Sequence, residues 1–261
     1  MIKLFIIIIF FSSSTLSREV GQTEITTDEG IEVFQKEKYY LLKKNVSIIS
    51  DNFELKADLV KAYFDKDLYD ISKIESETDV ILKSSKGILA KGDKINFSTK
   101  NENITIKGNS SSLTYGNIFM FSQDLIEVDN LNGNFTIKGN EAELKTDSIH
   151  ILGSLIIGNF VRINNINEIE KLYVEDDKQA NIKTENMNMF AKKANYSKQD
   201  NIIELFENVK VIRDNEIIIG DYANIDTLNE SYKVKSNNSD KKVKVLVNKK
   251  PNQKNKAYFN L

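Results

Sequence analysis

The chain has 261 residues, with 36 Lys and Arg against 38 Asp and Glu, one proline, no tryptophan and no cysteine. A formal net charge of -2 leaves no basic field of the kind that holds nucleic acid or anionic membranes non-specifically. Without cysteine there is no disulfide, no lipid-modified N-terminal cysteine and no thiolate metal site, so burial and backbone pairing must carry the fold.

The first element is a leader. Met1, Ile2 and Lys3 precede an apolar run from Leu4 to Phe11, which gives way to the small-residue stretch Ser12 to Ser17. A membrane-spanning helix needs about 20 apolar residues, and this run is short for that. The pattern predicts a secretory signal peptide over residues 1–17, cleaved after Ser17, and a mature chain of about 240 residues, long enough for a sizeable core.

From there to Val247 the sequence alternates apolar and polar residues in short runs, broken by Asn, Asp, Gly or Ser. Examples are Ile104 and Ile106, Phe135 and Ile137, Val209 and Val211, and Val243, Val245 and Val247. This is the pattern of half-buried strands joined by tight turns, and no amphipathic helix interrupts it. The sole proline, Pro251, lies near the end, which suits long ladders. Residues 18–247 are expected to form one elongated all-β domain, with a soft internal boundary near 164–167. Residues 248–261 lack periodicity and are expected to fray in solution.

The chain also repeats itself. Gly92 to Ser111 lies over Gly220 to Ser239 without a gap. Gly30 to Asp65 lies over Lys193 to Leu228, pairing Asn45-Val46 with Asn208-Val209, Asp51-Asn52 with Asp214-Asn215 and Asp58 with Asp221. The phrase Thr-Ile-Lys-Gly-Asn occurs at Thr105 to Asn109 and at Thr136 to Asn140. Copied supersecondary units point to stacked hairpins rather than one active-site crevice.

The search for chemistry gives little. His150 sits alone between Ile149 and Ile151 and reads as a packed or edge residue, because a base or metal ligand needs partners. Asp176-Asp177 reads as a solvated turn, and Glu141 and Glu143 share one face of a strand. Gly92-Asp93 and Gly220-Asp221 lack the alternate oxygen ligands of a calcium loop and read as bends where glycine admits a close backbone. We expect no catalytic residue, no metal and no cofactor.

At Ala194-Asn195-Tyr196, Ile202 to Leu205, Asn208-Val209-Lys210-Val211, Ile217 to Gly220, Asp221 to Asp226 and Val234, the sequence resembles the OstA-like repeat of the LptA family, periplasmic bridge proteins of lipopolysaccharide transport. Glu207 stands where the family's hairpin glycine is expected. The resemblance is good over 191–247 and only pattern-level over 25–165. It implies an incomplete β-jelly-roll, or β-roll, of stacked antiparallel strands whose two sheets do not close. It also implies a non-enzymatic carrier that holds the lipid A moiety of lipopolysaccharide in an apolar groove. Its partners would be an inner-membrane tethered protein and an outer-membrane translocon, with head-to-tail self-association and no nucleic acid.

The groove candidates are Val46, Ile48, Ile95, Phe97, Ile104, Ile106, Phe119, Phe121, Phe135, Ile137, Leu205, Val209, Val211, Ile217, Ile219, Ile225 and Val234. The edge-strand candidates for assembly are Ile31 and Val33 at the front and Val243, Val245 and Val247 at the back. Two other readings share the pattern: a structural or adhesive β-solenoid with a filled interior and no cargo, and a membrane-tethered partner related to LptC.

Overall fold

The computed structural model describes residues 18–66, 70–164, 166–237 and 242–247. The leader and the residues after Val247 lie outside them. Every regular element among the described residues is a β-strand, and every pairing is antiparallel.

In chain order the strands are β1 (Glu24–Thr26), β2 (Ile31–Phe34), β3 (Tyr39–Ile49), β4 (Phe53–Phe64), β5 (Ile71–Ser84), β6 (Ile88–Ser98), β7 (Ile104–Lys107), β8 (Ser111–Tyr115) and β9 (Ile118–Ser122). They continue as β10 (Leu125–Asp129), β11 (Asn134–Lys145), β12 (Ile149–Ile163), β13 (Ile166–Thr184), β14 (Asn188–Ser197), β15 (Ile202–Arg213), β16 (Glu216–Asp226), β17 (Ser231–Lys235) and β18 (Lys244–Val247). Most are too long to lie in one flat layer. The ladder breaks near the middle of each long strand, for example between Lys43 and Val46, Glu77 and Val80, and Phe206 and Val209.

At these breaks the strand turns a corner, so its two halves lie in two facing sheets. The pairs β1/β2, β7/β8 and β9/β10 make the same turn with the corner residues outside the ladder, and β17 and β18 pair with the two halves of β16. Halves such as 46–49, 53–57, 80–84 and 88–92 build one sheet, and 39–43, 59–64, 73–77 and 94–98 build the other. The sheets are joined along the corners, and hairpin turns form two lips on the opposite side.

The corner has a local signature. Lys44-Asn45-Val46, Thr78-Asp79-Val80 and Glu207-Asn208-Val209 each place two consecutive residues in the left-handed region, with φ of 63° and 49°, 69° and 51°, and 64° and 55°. Asn and Asp tolerate that conformation better than most residues. The Asn-Val phrase is therefore a mid-strand bulge, not the hairpin expected from the resemblance.

Opposite these bulges stand Ala57-Asp58, Gly92-Asp93 and Gly220-Asp221. A Cβ on Gly92 would lie 2.5 Å from Ile106 Cγ2, and one on Gly220 would lie 2.6 Å from Val234 Cγ1, so glycine is needed for close approach. The aspartates accept hydrogen bonds from the neighbouring corner: Asp58 from the Asn45 amide, Asp93 from the Asn109 amide, and Asp221 from the Asn237 amide and the Ser236 hydroxyl. The repeated Gly-Asp is a corner device. β12 pairs with β13 as far as Arg162 with Asn167 and Ile163 with Ile166.

Candidate functional site

The interior is wedge-shaped. Near the corners the inward residues are small, such as Ala57, Ala142, Ala180 and Ala191. Toward the lips they are large in the first part of the chain. Tyr40 packs on Phe64 at 5.3 Å between ring centroids, Phe53 on Phe97 at 5.7 Å, and Tyr115 on Phe160 at 5.7 Å. The last two contacts reach from sheet to sheet beside the hairpin turns and plug the seam. A polar bridge reinforces them, with the buried Glu102 accepting from the Ser84 hydroxyl and pairing with Lys86 at 3.2 Å.

Beyond Phe160 the aromatic plugs stop. Ile149 and Met187 on one lip face Ile169, Leu172, Tyr196 and Ile203 from the other sheet. Aliphatic side chains next to the turns do not reach across, and a cleft of about 500 Å³ opens there. Burial pushes the Tyr196 phenol above its ordinary pKa, as a weakly solvated wall requires.

Two contacts across the seam frame the cleft. At one end the Asn117 side-chain amide donates to the Asn167 carbonyl at 3.1 Å, the Asn167 amide donates to Asn117 Oδ1 at 3.2 Å, and Asn167 Nδ2 donates to the Tyr115 carbonyl at 2.9 Å. Asn167 is buried, and its Oδ1 has no partner among the described residues. At the other end, Arg213 makes 2.8 Å contacts to both the Glu230 carboxylate and its backbone carbonyl. Glu168 pairs with Lys198 on one lip, while Asp147 and Glu185 lie in the hairpin turns of the other. The arrangement offers an apolar floor with a polar rim, the layout of a small-molecule or single-chain site.

None of the seventeen groove candidates lines this cleft. Val46, Ile48, Ile95, Phe97, Ile104, Ile106, Phe135, Ile137, Leu205, Val209, Val211 and Ile225 point inward and are buried, and Val234 packs against them half-buried. They form a buried core, so no open trough runs the whole length of the described strands. Phe119, Phe121, Ile217 and Ile219 lie on the outer faces, one residue out of phase with the inward Ile118, Met120 and Ile218. The runs Ile118 to Phe121 and Ile217 to Ile219 are apolar at every position, so alternation could not set their phase. The cleft residues carry no signal in the sequence, because only their place beside turns distinguishes them from the rest of the core.

The edge candidates fall on β2 and on or just before β18. Ile31 and Val33 on β2 are each 46% exposed, and Val245 and Val247 on β18 are 53% and 65% exposed. Val243 is exposed just before β18. β2 pairs only with β3, and β18 only with β16, among the described residues. His150 sits on the outer face against Glu143 at 2.8 Å, and Asp176 caps its own turn by accepting from the Lys178 and Gln179 amides.

No family model and no curated protein matches the chain. Among solved structures, it is similar to LptH from Pseudomonas aeruginosa, the LptA-homologous periplasmic component of a conserved lipopolysaccharide transport device. The similarity has a TM-score of 0.43 at 14% sequence identity and covers 51% of this chain and 96% of that one.

Proposed function

We infer that the protein is a non-enzymatic periplasmic carrier of lipopolysaccharide, linking inner-membrane and outer-membrane transport complexes. The observation that carries this reading is the seam: two sheets hinged along their corners part over an apolar floor between Asn117–Asn167 and Arg213–Glu230. Each methylene taken from water onto that floor is favourable by about 0.8 kcal/mol, so acyl chains are held without a specific polar contact. Because the rest of the interior is filled, a multi-chain lipid enters by spreading the lips outward from the cleft.

The edges supply the bridge. β1/β2 and β17/β18 leave backbone donors and acceptors free on one side, and apolar side chains stand beside them. Strand addition between copies, or onto a tethered partner, continues both sheets. Residues 1–17 supply export to the periplasm.

Photoreactive residues at Leu172 and Ile203, introduced one at a time in cells with radiolabelled lipopolysaccharide, test the reading. The expected result is an adduct at both positions and none at Phe121 on the outer face. Absence of adducts at Leu172 and Ile203 would return the protein to the class of cargo-free β-solenoids.

A further inference from the structure

Tyrosines aside, five polar or charged side chains are buried among the described residues: Ser76, Glu102, Ser111, Ser122 and Asn167. Ser76, Ser111 and Ser122 donate to the carbonyls of Ile95, Gly108 and Lys138, and Glu102 accepts from Ser84 and pairs with Lys86. Asn167 differs. It is 3% exposed and lines the cleft, and its Oδ1 is sealed from solvent with no hydrogen-bond partner among the described residues. The Tyr115 carbonyl can only accept, so the amide atom facing it at 2.9 Å is Nδ2, and the atom left over is the acceptor Oδ1. Asn181 and Asn188 also leave an Oδ1 unpaired, but neither lines the cleft.

We propose that Asn167 Oδ1 is the recognition point of the cleft, accepting a hydrogen bond from an acyl chain that carries a hydroxyl or amide N–H within a few carbons of its head. A buried acceptor without a donor is unfavourable, and a ligand that brings the donor removes that penalty. The rest of the cleft restricts what such a ligand is. Ile169, Leu172 and Ile203 make its wall apolar, so a wholly polar molecule loses water there without replacement, whereas a chain with one donor satisfies both features. Asn167 stands at one end of the cleft, in contact with Asn117 across the seam at 3.1 and 3.2 Å. The donor therefore belongs near the end of the chain whose head leaves the seam. In the closed seam Oδ1 is shielded, and parting of the lips at this contact uncovers it. The inference rests on the carrier reading and adds which acyl chains the cleft selects: burial holds the chain, this one contact chooses it, and the headgroup is left unrestricted.

Three acids test this on the unsubstituted protein: dodecanoate, β-hydroxydodecanoate and β-methoxydodecanoate, titrated by calorimetry below their micellar concentrations. The chain and the carboxylate are common to all three and cancel in the comparison, and the methoxy acid keeps the oxygen but has no donor. The expected result is a dissociation constant about tenfold lower for the hydroxy acid than for either of the others, as one hydrogen bond to a buried acceptor supplies. In Asn167→Ala that advantage should fall to about twofold or less, because the hydroxyl then has no acceptor. Asn117→Ala keeps the acceptor and weakens the contact around it, so the ratio should survive there.

Equal binding of the hydroxy and methoxy acids, binding of none of the three, a ratio unchanged in Asn167→Ala, or a ratio lost in Asn117→Ala would overturn the inference and leave the carrier reading intact. The comparison of acids needs no variant, so it decides the question even if Asn167→Ala fails to fold. The carrier reading is decided separately, by the lipopolysaccharide adducts at Leu172 and Ile203.

Discussion

A cleft exists because of which side chains stand beside the turns. Phe53, Phe97, Tyr115 and Phe160 span the seam in the first part of the chain, whereas Met187 and Ile203 hold the corresponding turn-flanking places in the second. Met187→Phe therefore places a ring over part of the open volume. Its melting temperature should stay the same or rise, while lipopolysaccharide capture measured by adduct yield at Leu172 falls several-fold. A stable variant with unchanged capture would mean the chain does not bind there.

The pH response is also set residue by residue. The Glu75 carboxyl is held below its ordinary value of 4.5, first by the Lys73 ammonium hydrogen-bonded to it and then by the Tyr63 hydroxyl, with burial opposing. Asp129 and Asp226 lie below 3.8 because Asn132 and Asn229 donate to them within their turns. A carboxyl that titrates lower in the fold stabilises it above the unfolded value, and the contribution is lost as pH falls through the folded one.

The opposite sign holds at the alkaline end. Tyr173, Tyr222 and Tyr232 are raised above 10.0 by donating to Glu175, Glu204 and Glu216, and Tyr63 is raised by burial and then by Glu75. Those phenols stabilise the fold below pH 10.0, and the effect fades as they ionise. Denaturant midpoints should be flat between pH 5 and 9, falling below pH 4.5 and again above pH 10. A maximum at either extreme would contradict these pairings.

Among the elements, the corner is the repeated unit. Ala57 fills the place opposite the Lys44-Asn45 bulge, so alanine is acceptable there in principle. At Gly220 a methyl would lie 2.6 Å from Val234 Cγ1 and 2.7 Å from the Lys235 carbonyl oxygen. Gly220→Ala should therefore cost about 1–3 kcal/mol, the usual range for overpacking, read as a lowered midpoint in urea. A neutral result would show that β17 yields at no cost.

Much of this level was legible in the sequence. Period-2 alternation gave the strands, and the matches of Asn45 with Asn208 and Asp58 with Asp221 fell on equivalent corners. The all-β assignment followed from those patterns. What stayed hidden was the corner itself. A 12-residue strand bent in its middle has the same alternation as two strands joined by a turn, so alternation does not separate the Asn-Val bulge from the hairpin that the family resemblance implies. The cleft was hidden for a related reason. Whether an inward position lies at the hinge or at the lip depends on where the bulge falls, and composition does not record that. In all-apolar runs such as Ile217 to Ile219, even the inward face was ambiguous.

At the scale of the molecule, the stack ends in two unlike edges, each with exposed branched aliphatic side chains next to unpaired backbone. Val33→Lys and Val245→Lys place charges on those edges, a common way to block edge-to-edge pairing. Each is exposed in the single chain, so the substitutions should leave the melting temperature nearly unchanged. In sedimentation they should shift any head-to-tail assemblies to single chains, whereas assemblies that persist in the double variant would place the contact elsewhere.

The account as a whole depends on the two sheets parting at the seam when cargo enters. With no native cysteine, spin labels at Asn186→Cys and Asp200→Cys, exposed on opposite lips, report that separation by pulsed electron resonance. Lipopolysaccharide should lengthen the distance by several ångströms and leave a pair spanning the corners, Asn45→Cys with Thr78→Cys, unchanged. A lip-to-lip distance that stays constant with lipopolysaccharide bound would contradict it.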